Sequence, residues 1–122
     1  MNQRIKFCKN WNGKLDQNVF TTMRNWGAQK ESFYLGSLGK EFDVMLNEEL
    51  HSKAVLMDCR TYHFDRIPLP LFTLDTGLFH LPEIRGLFLK FGMNEDDPLL
   101  IVLTFMNKCP GDGTGSCREV VG

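Results

Sequence analysis

The 122-residue chain has the length of a single domain, a net charge of −1 at pH 7, and 43% hydrophobic and 24% charged residues. These values exclude a disordered chain, and the apolar runs fall far short of the roughly 20 residues that cross a bilayer. The opening Met1-Asn2-Gln3-Arg4 leads into a strand-like run without an apolar signal region. We therefore expect a cytoplasmic protein that does not enter membranes.

Local patterns divide the chain into short elements. In chain order they predict a strand at 4–8, a helical turn at 14–19, a strand at 20–24, a polar loop at 25–33, strands at 41–46 and 53–64, a helix at 82–91 and a last strand at 99–106. The clearest strand is 41–46, where Phe42 and Val44 alternate with acidic residues. Pro82 and Gly92 are typical start and stop residues of the predicted helix.

Five short strands with helices at one side predict an α+β fold built on a small, partly open β-barrel, because a doubly wound sheet needs regular alternation with long helices. Residues 1–108 form the predicted domain. Residues 109–122, which are rich in glycine, are predicted to be a flexible tail.

The cysteines and histidines predict no metal site and no cofactor. Cys8, Cys59 and Cys109 lie in or beside apolar runs, where cysteine is usually a small buried hydrophobe. The chain has no C-x-x-C pair, and the spacing of its three histidines does not match a ligand set.

Charge is distributed unevenly along the chain. Residues 1–40 carry seven lysines and arginines against two acids, a net charge of +5, whereas the remainder is acidic. This asymmetry suggests a basic face that attracts an anion. Pairing of the two halves across the fold is an equally good interpretation.

The run Phe20-Thr21-Thr22-Met23-Arg24 is the most informative motif. In an extended strand Thr22 and Arg24 project from the same face, because side chains alternate with period two. A hydroxyl beside a guanidinium suits a phosphate, a carboxylate or a base edge. The simpler alternative is a strand-end arginine in water.

This run, the following Gly39-Lys40-Glu41-Phe42-Asp43-Val44 turn and strand, and the strand from Ala54 to Tyr62 resemble the ASCH group of PUA-like domains. The resemblance extends over about residues 4–108. It implies a PUA-like barrel with a cleft between barrel and helices, in which family members bind RNA or nucleotides and some hydrolyse acylated cytidine nucleosides.

The hydrolytic members resemble the pattern Lys-Thr-x-Thr-x-Arg, of which this chain matches only Thr22 and Arg24. Val19 stands where the resemblance implies a lysine. If the chain is an enzyme, Thr22 and Asp75 are the implied catalytic residues, and Lys6 or Lys40 would have to replace the missing cation. The residues leave open whether catalysis occurs.

Other side chains complete the candidate binding site, which then consists of Thr21, Thr22, Arg24, Trp26, Lys40 and Arg60. A tryptophan in the polar loop beside Arg24 suits base stacking, whereas Trp11 is predicted to lie mostly in the core. For Arg60, a salt bridge with Asp58 is the more ordinary interpretation.

The sequence is compatible with three functions. The first is a PUA-like module that binds RNA or a small nucleotide beside the Thr-x-Arg strand. The second is an amidohydrolase that acts on N4-acylated cytidine nucleosides, and the third is a protein-interaction module. We expect a monomer, or a weak homodimer formed through a strand edge.

Overall fold

Residues 3–108 are described by the structure, a computed structural model. They form five strands and three α-helices: β1 (Gln3–Phe7), β2 (Val19–Asn25), α1 (Ala28–Leu35), β3 (Glu41–Leu46), β4 (Glu49–His63), α2 (Leu69–Thr76), α3 (Leu81–Lys90) and β5 (Leu99–Asn107). Two 3-10 segments, Trp11–Asp16 and Phe64–Arg66, precede β2 and α2. The predicted tail at 109–122, with Cys109, lies outside the described residues.

The five strands form one mixed sheet in the order β1-β3-β4-β5-β2. Only the pair β1–β3 is parallel, and the other pairs are antiparallel. The prediction of an α+β fold with five strands is confirmed. The sheet is not closed into a barrel, because β1 and β2 are its two unpaired edges. We call the gap between these edges the seam.

The two faces of the sheet bury separate apolar clusters. On one face Phe20, Phe42 and Phe105 pack together, and Leu15 of the first 3-10 segment joins them. The other face packs against α2 and α3 through a cluster formed by Met23, Phe64, Ile67, Phe72, Ile84, Phe88, Met93, Leu100 and Val102. Because the stretch from Leu100 to Leu103 of β5 is buried on both faces of the sheet, its sequence is a continuous apolar run rather than an alternating one.

Two helices were not predicted. The predicted polar loop at 25–33 contains most of α1, which buries none of its residues and so has no apolar stripe in its sequence. Pro68-Leu69-Pro70, which suggested a break, begins α2, because proline is tolerated in the first helical turn. The predicted helical turn at 14–19 overlaps the 3-10 segment Trp11–Asp16 only at 14–16, because Gln17 is extended and Val19 begins β2.

Smaller differences concern single residues. Asn47 and Glu48 both have positive φ values, 52° and 69°, and form a tight hairpin, so β4 begins at Glu49 rather than at residue 53. Cys59 is buried as predicted, but Cys8 is exposed because it follows the end of β1. Of the helices within residues 3–108, none is long enough and apolar enough to span a membrane.

Candidate functional site

A cleft of about 330 Å³ opens at the seam. It lies between the edge strands, the first 3-10 segment and the helices α2 and α3. We call it the seam cleft, and it is lined by Lys6, Phe7, Cys8, Trp11, Lys14, Thr22, Met23, Arg24, Asn25, Lys30, Asp75, Thr76, Leu87, Phe88 and Phe91. Its volume is that of a small-molecule site. Four of the seven bases in residues 1–40 line it, so much of the predicted basic character converges here.

A buried ion pair forms one wall of the seam cleft. Lys14 Nζ donates to Asp75 Oδ1 at 2.6 Å, and each side chain is only 6% exposed. Burial lowers the pKa of Lys14 and raises the pKa of Asp75, while each partner's charge opposes the shift of the other. The pKa values of the two groups are therefore closer together than they are in water, which makes proton transfer between them easier.

Hydrogen bonds hold the 3-10 segment that carries Lys14. Asn107, buried at the end of β5, donates through Nδ2 to the carbonyl oxygens of Leu15, at 2.9 Å, and Gln17, at 2.6 Å. Asn12 donates to the carbonyl oxygen of Leu74 at 3.3 Å, which ties the segment to α2. The 3-10 segment that carries Lys14 is thus hydrogen-bonded both to β5 and to α2, the helix that carries Asp75.

Arg24 bridges the two edges of the seam. Its Nη2 donates to the Lys6 carbonyl oxygen at 3.1 Å, and the guanidinium carbon lies 4.7 Å from the centre of the Phe7 ring. Its Nε is buried and has no hydrogen-bond partner among the described residues. No carboxylate within residues 3–108 forms an ion pair with Arg24, and burial lowers its pKa.

Thr22 is buried on the same strand face as Arg24, as period two requires. It lines the seam cleft, and its hydroxyl forms no hydrogen bond with any described residue. Thr21, which pairs with Thr104 across β5, projects from the opposite face. Only one of the two threonines therefore faces the cleft.

Aromatic side chains form the apolar wall of the seam cleft. Trp11 meets Phe91 edge to face, with ring centres 6.2 Å apart, and Lys9 Nζ lies 4.2 Å from the centre of the Trp11 ring. Phe91 is half exposed, at 51%. A planar group that enters the cleft can therefore contact both aromatic side chains and the cations that line the same cleft.

The structure brings together Thr22, Arg24 and Asp75, three of the site residues that the sequence suggested. Among the other candidates, Thr21, Trp26, Lys40 and Arg60 do not line the seam cleft. Arg60 is exposed and pairs with Asp58, Nε to Oδ2, at 2.9 Å, as the ordinary interpretation predicted. Of the two cations considered as replacements for the missing lysine, Lys6 lines the cleft and Lys40 does not.

Sequence reasoning missed Lys14, Trp11 and Phe91. Trp11, predicted to lie mostly in the core, is half-buried at the cleft wall. No local signal singles out Lys14 in the sequence, where it is one of seven bases in residues 1–40. Nothing in the sequence pairs Lys14 with Asp75, which lies 61 positions away.

Comparison of the chain with protein-family models, with curated proteins and with solved structures gave no match. Among the described residues, no group of three or more His, Cys, Asp or Glu side chains is arranged to hold a metal ion.

Proposed function

We propose that the seam cleft binds a nucleotide, free or as one unit of a short RNA, as PUA-like domains of the ASCH group do. The observation that carries the proposal is the convergence in one cleft of an aromatic wall, a hydroxyl and an arginine, of which, within residues 3–108, the hydroxyl forms no hydrogen bond and the arginine no ion pair. A nucleotide offers matching groups, a flat base and an anion.

The size and charge of the site favour one nucleotide over a long strand. The cleft has a volume of about 330 Å³, and the whole chain carries a net charge of −1. Tight binding of long nucleic acid without sequence preference depends on many phosphate contacts, for which this chain lacks an excess of bases. The recognised unit is therefore small.

Calorimetric titration with mononucleotides and short RNAs tests the proposal. Trp11→Ala is expected to weaken binding about tenfold or more, because base stacking on an aromatic side chain contributes about 1–3 kcal/mol. Trp26→Ala is the matched control, since Trp26 is an exposed tryptophan outside the cleft. Binding by none of these ligands, or equal loss in both variants, would refute the proposal.

A second candidate is hydrolysis of the amide of an N4-acylated cytidine, favoured by the Lys14–Asp75 pair beside Thr22. The Thr22 hydroxyl attacks the acyl carbon and its proton passes to the pair, which returns a proton to the leaving amine; water then releases the acyl group from Thr22. Here Lys14, rather than Lys6 or Lys40, supplies the cation that the sequence lacks at Val19.

Turnover of N4-acetylcytidine at high enzyme concentration decides between binding and catalysis. Activity in the unmodified protein that disappears in Thr22→Ala and persists in Thr21→Ala supports the hydrolase. The second variant removes the neighbouring threonine, which projects from the opposite face of β2. A flat time course with the unmodified protein removes catalysis from consideration and leaves the binding proposal standing.

A further inference from the structure

The charges that line the seam cleft do not cancel. Lys14 and Asp75 neutralise each other at 2.6 Å, and Asp75 is the only acidic residue among the lining residues. Three cations, Lys6, Arg24 and Lys30, remain. The cleft therefore carries an excess of positive charge that its own lining does not balance.

Arg24 is the unusual member of this group. Lys6 and Lys30 are exposed, so water solvates their ammonium groups, whereas Arg24 is largely shielded. Arginine does not deprotonate in proteins. Removing its charge from water without a counter-charge is costly, and buried charges are normally paired.

The structural contacts of Arg24 do not account for its charge. Its hydrogen bond to the Lys6 carbonyl and its contact with the Phe7 ring hold the two edges of the seam near each other. A neutral donor of similar shape would make the same hydrogen bond. Asp75, which is already paired with Lys14, acts on the charge of Arg24 without forming an ion pair with it, and the buried Nε of Arg24 lacks an acceptor among the described residues.

Lys30 lies at the same end of the cleft. Its Nζ donates to the carbonyl oxygen of Asn25, the residue after Arg24, at 3.4 Å. A guanidinium with two ammonium groups at one cleft matches a phosphate monoester better than a carboxylate. The phosphate carries about −1.5 to −2 charges at pH 7 and three acceptor oxygens.

We propose, on the basis of the proposed function, that the bound ligand carries a phosphate monoester held by Arg24, with Lys30 and Lys6 around it, so that the protein prefers a phosphorylated nucleoside to the nucleoside itself. The phosphate supplies the directly paired counter-charge that Arg24 does not find among residues 3–108, where Asp75 is paired with Lys14. The aromatic wall at Trp11 and Phe91 then receives the base.

The test compares ligands that differ only in the phosphate. Calorimetric titration uses the four common nucleosides, their 5′- and 3′-monophosphates, inorganic phosphate, and a short RNA with and without a 5′-phosphate. We expect at least one monophosphate to bind tenfold or more tightly than its nucleoside. The RNA pair shows whether the phosphate is that of a free nucleotide or of an RNA end.

Arg24→Gln keeps a donor for the Lys6 carbonyl and removes the charge, so it is expected to abolish the preference for the phosphorylated ligand. Arg60→Gln, at an exposed arginine outside the cleft, is the matched control and should retain the preference. If Arg24→Gln does not melt cooperatively, Lys30→Gln replaces it, with an expected three- to tenfold fall in monophosphate affinity.

Equal affinity for a nucleoside and its monophosphate would overturn this inference and leave the proposed function intact. Retention of the preference in both Arg24→Gln and Lys30→Gln would also overturn it. If no nucleoside, nucleotide or RNA binds at all, the proposed function fails as well, so the two failures are distinguishable.

Discussion

Lys14 and Asp75 lie 61 positions apart in the chain, yet their side chains meet at 2.6 Å in the interior. The pair joins the 3-10 segment before β2 to the end of α2, and both groups are buried. It is thus both a long-range structural contact and a wall of the seam cleft.

Removing one partner of this pair is expected to destabilise the fold. Lys14→Met leaves the Asp75 carboxyl buried without its cation, which should lower the free energy of unfolding by about 3–5 kcal/mol in urea titration. Replacing both residues, as Lys14→Met with Asp75→Leu, should restore most of that loss. A single-variant cost as small as that of Arg60→Ala, which removes an exposed ion pair, would contradict this prediction.

The pair also predicts a dependence of stability on pH. Burial raises the pKa of Asp75 above its unfolded value of about 3.9, so between the two values the folded protein holds a proton that the unfolded chain has released. Stability contributed by this group is therefore complete below about pH 4 and is lost as the pH rises through the folded pKa. Asp75→Asn should remove this decline from urea titrations made at successive pH values.

Lys14 is expected to make stability change with pH in the opposite direction, at alkaline pH. Burial lowers its pKa below the unfolded value of about 10.4, so between the two values the unfolded chain holds the extra proton. Stability from this group accordingly rises as the pH increases from the folded pKa towards 10.4. Lys14→Met should lack the rise, and a rise of equal size in the variant would mean that another group is responsible.

Arg24 is expected to limit stability rather than provide it. Arg24→Met loses one hydrogen bond and one cation–ring contact, together about 1–2 kcal/mol, but it also removes the larger cost of burying an unpaired charge. We expect a free energy of unfolding at least equal to that of the unmodified protein, with Arg60→Met as control. A loss above about 2 kcal/mol would show that the arginine is a structural element.

The strands and the Thr-x-Arg face were predictable because alternation and β-branched residues are local signals. Phe42 and Val44 in β3 identify a half-buried strand without reference to any other element. The same rule placed Thr22 and Arg24 together. By contrast, α1 buries no residue, so its sequence carries no periodic signal that a helix is present.

The sequence predicted some residues of the seam cleft but not how they are brought together. Asp75 was considered solely through a resemblance, and its contact with Lys14 depends on how α2 packs against the 3-10 segment. Trp26 follows Arg24 closely in sequence, but the chain turns into α1 at that point and carries the indole away from the cleft. Packing between distant elements decided both outcomes, and no local pattern reports it.

Asn107 is expected to contribute more to the stability of the fold than its position near the end of a strand suggests. Its side chain donates to the carbonyl oxygens of Leu15, in the first 3-10 segment, and Gln17, just after it, and accepts a hydrogen bond from Ser52 Oγ at 3.1 Å. Asn107→Ala leaves these buried groups unsatisfied and should cost about 2–4 kcal/mol in urea titration. Ser52→Ala is the milder control, and equal effects of the two variants would contradict this role.

Neighbouring residues of β5 should respond very differently to truncation. Phe105 is fully buried between Phe20 and Phe42, so Phe105→Ala should cost about 3–5 kcal/mol. Met106 is exposed on the other face, and Met106→Ala should change stability by no more than about 0.5 kcal/mol. Similar losses of stability in both variants would contradict this difference in burial between Phe105 and Met106.

The strand order also bears on synthesis at the ribosome. Strand β2 carries Thr22 and Arg24, yet its only strand partner is β5, the last described element of the chain. At about 5–20 residues per second, β2 emerges several seconds before β5 can pair with it. During that interval Phe20 and Met23 lack the neighbours that cover them in the fold, so the nascent chain exposes an apolar strand, and the seam cleft forms only after β5 has been synthesised.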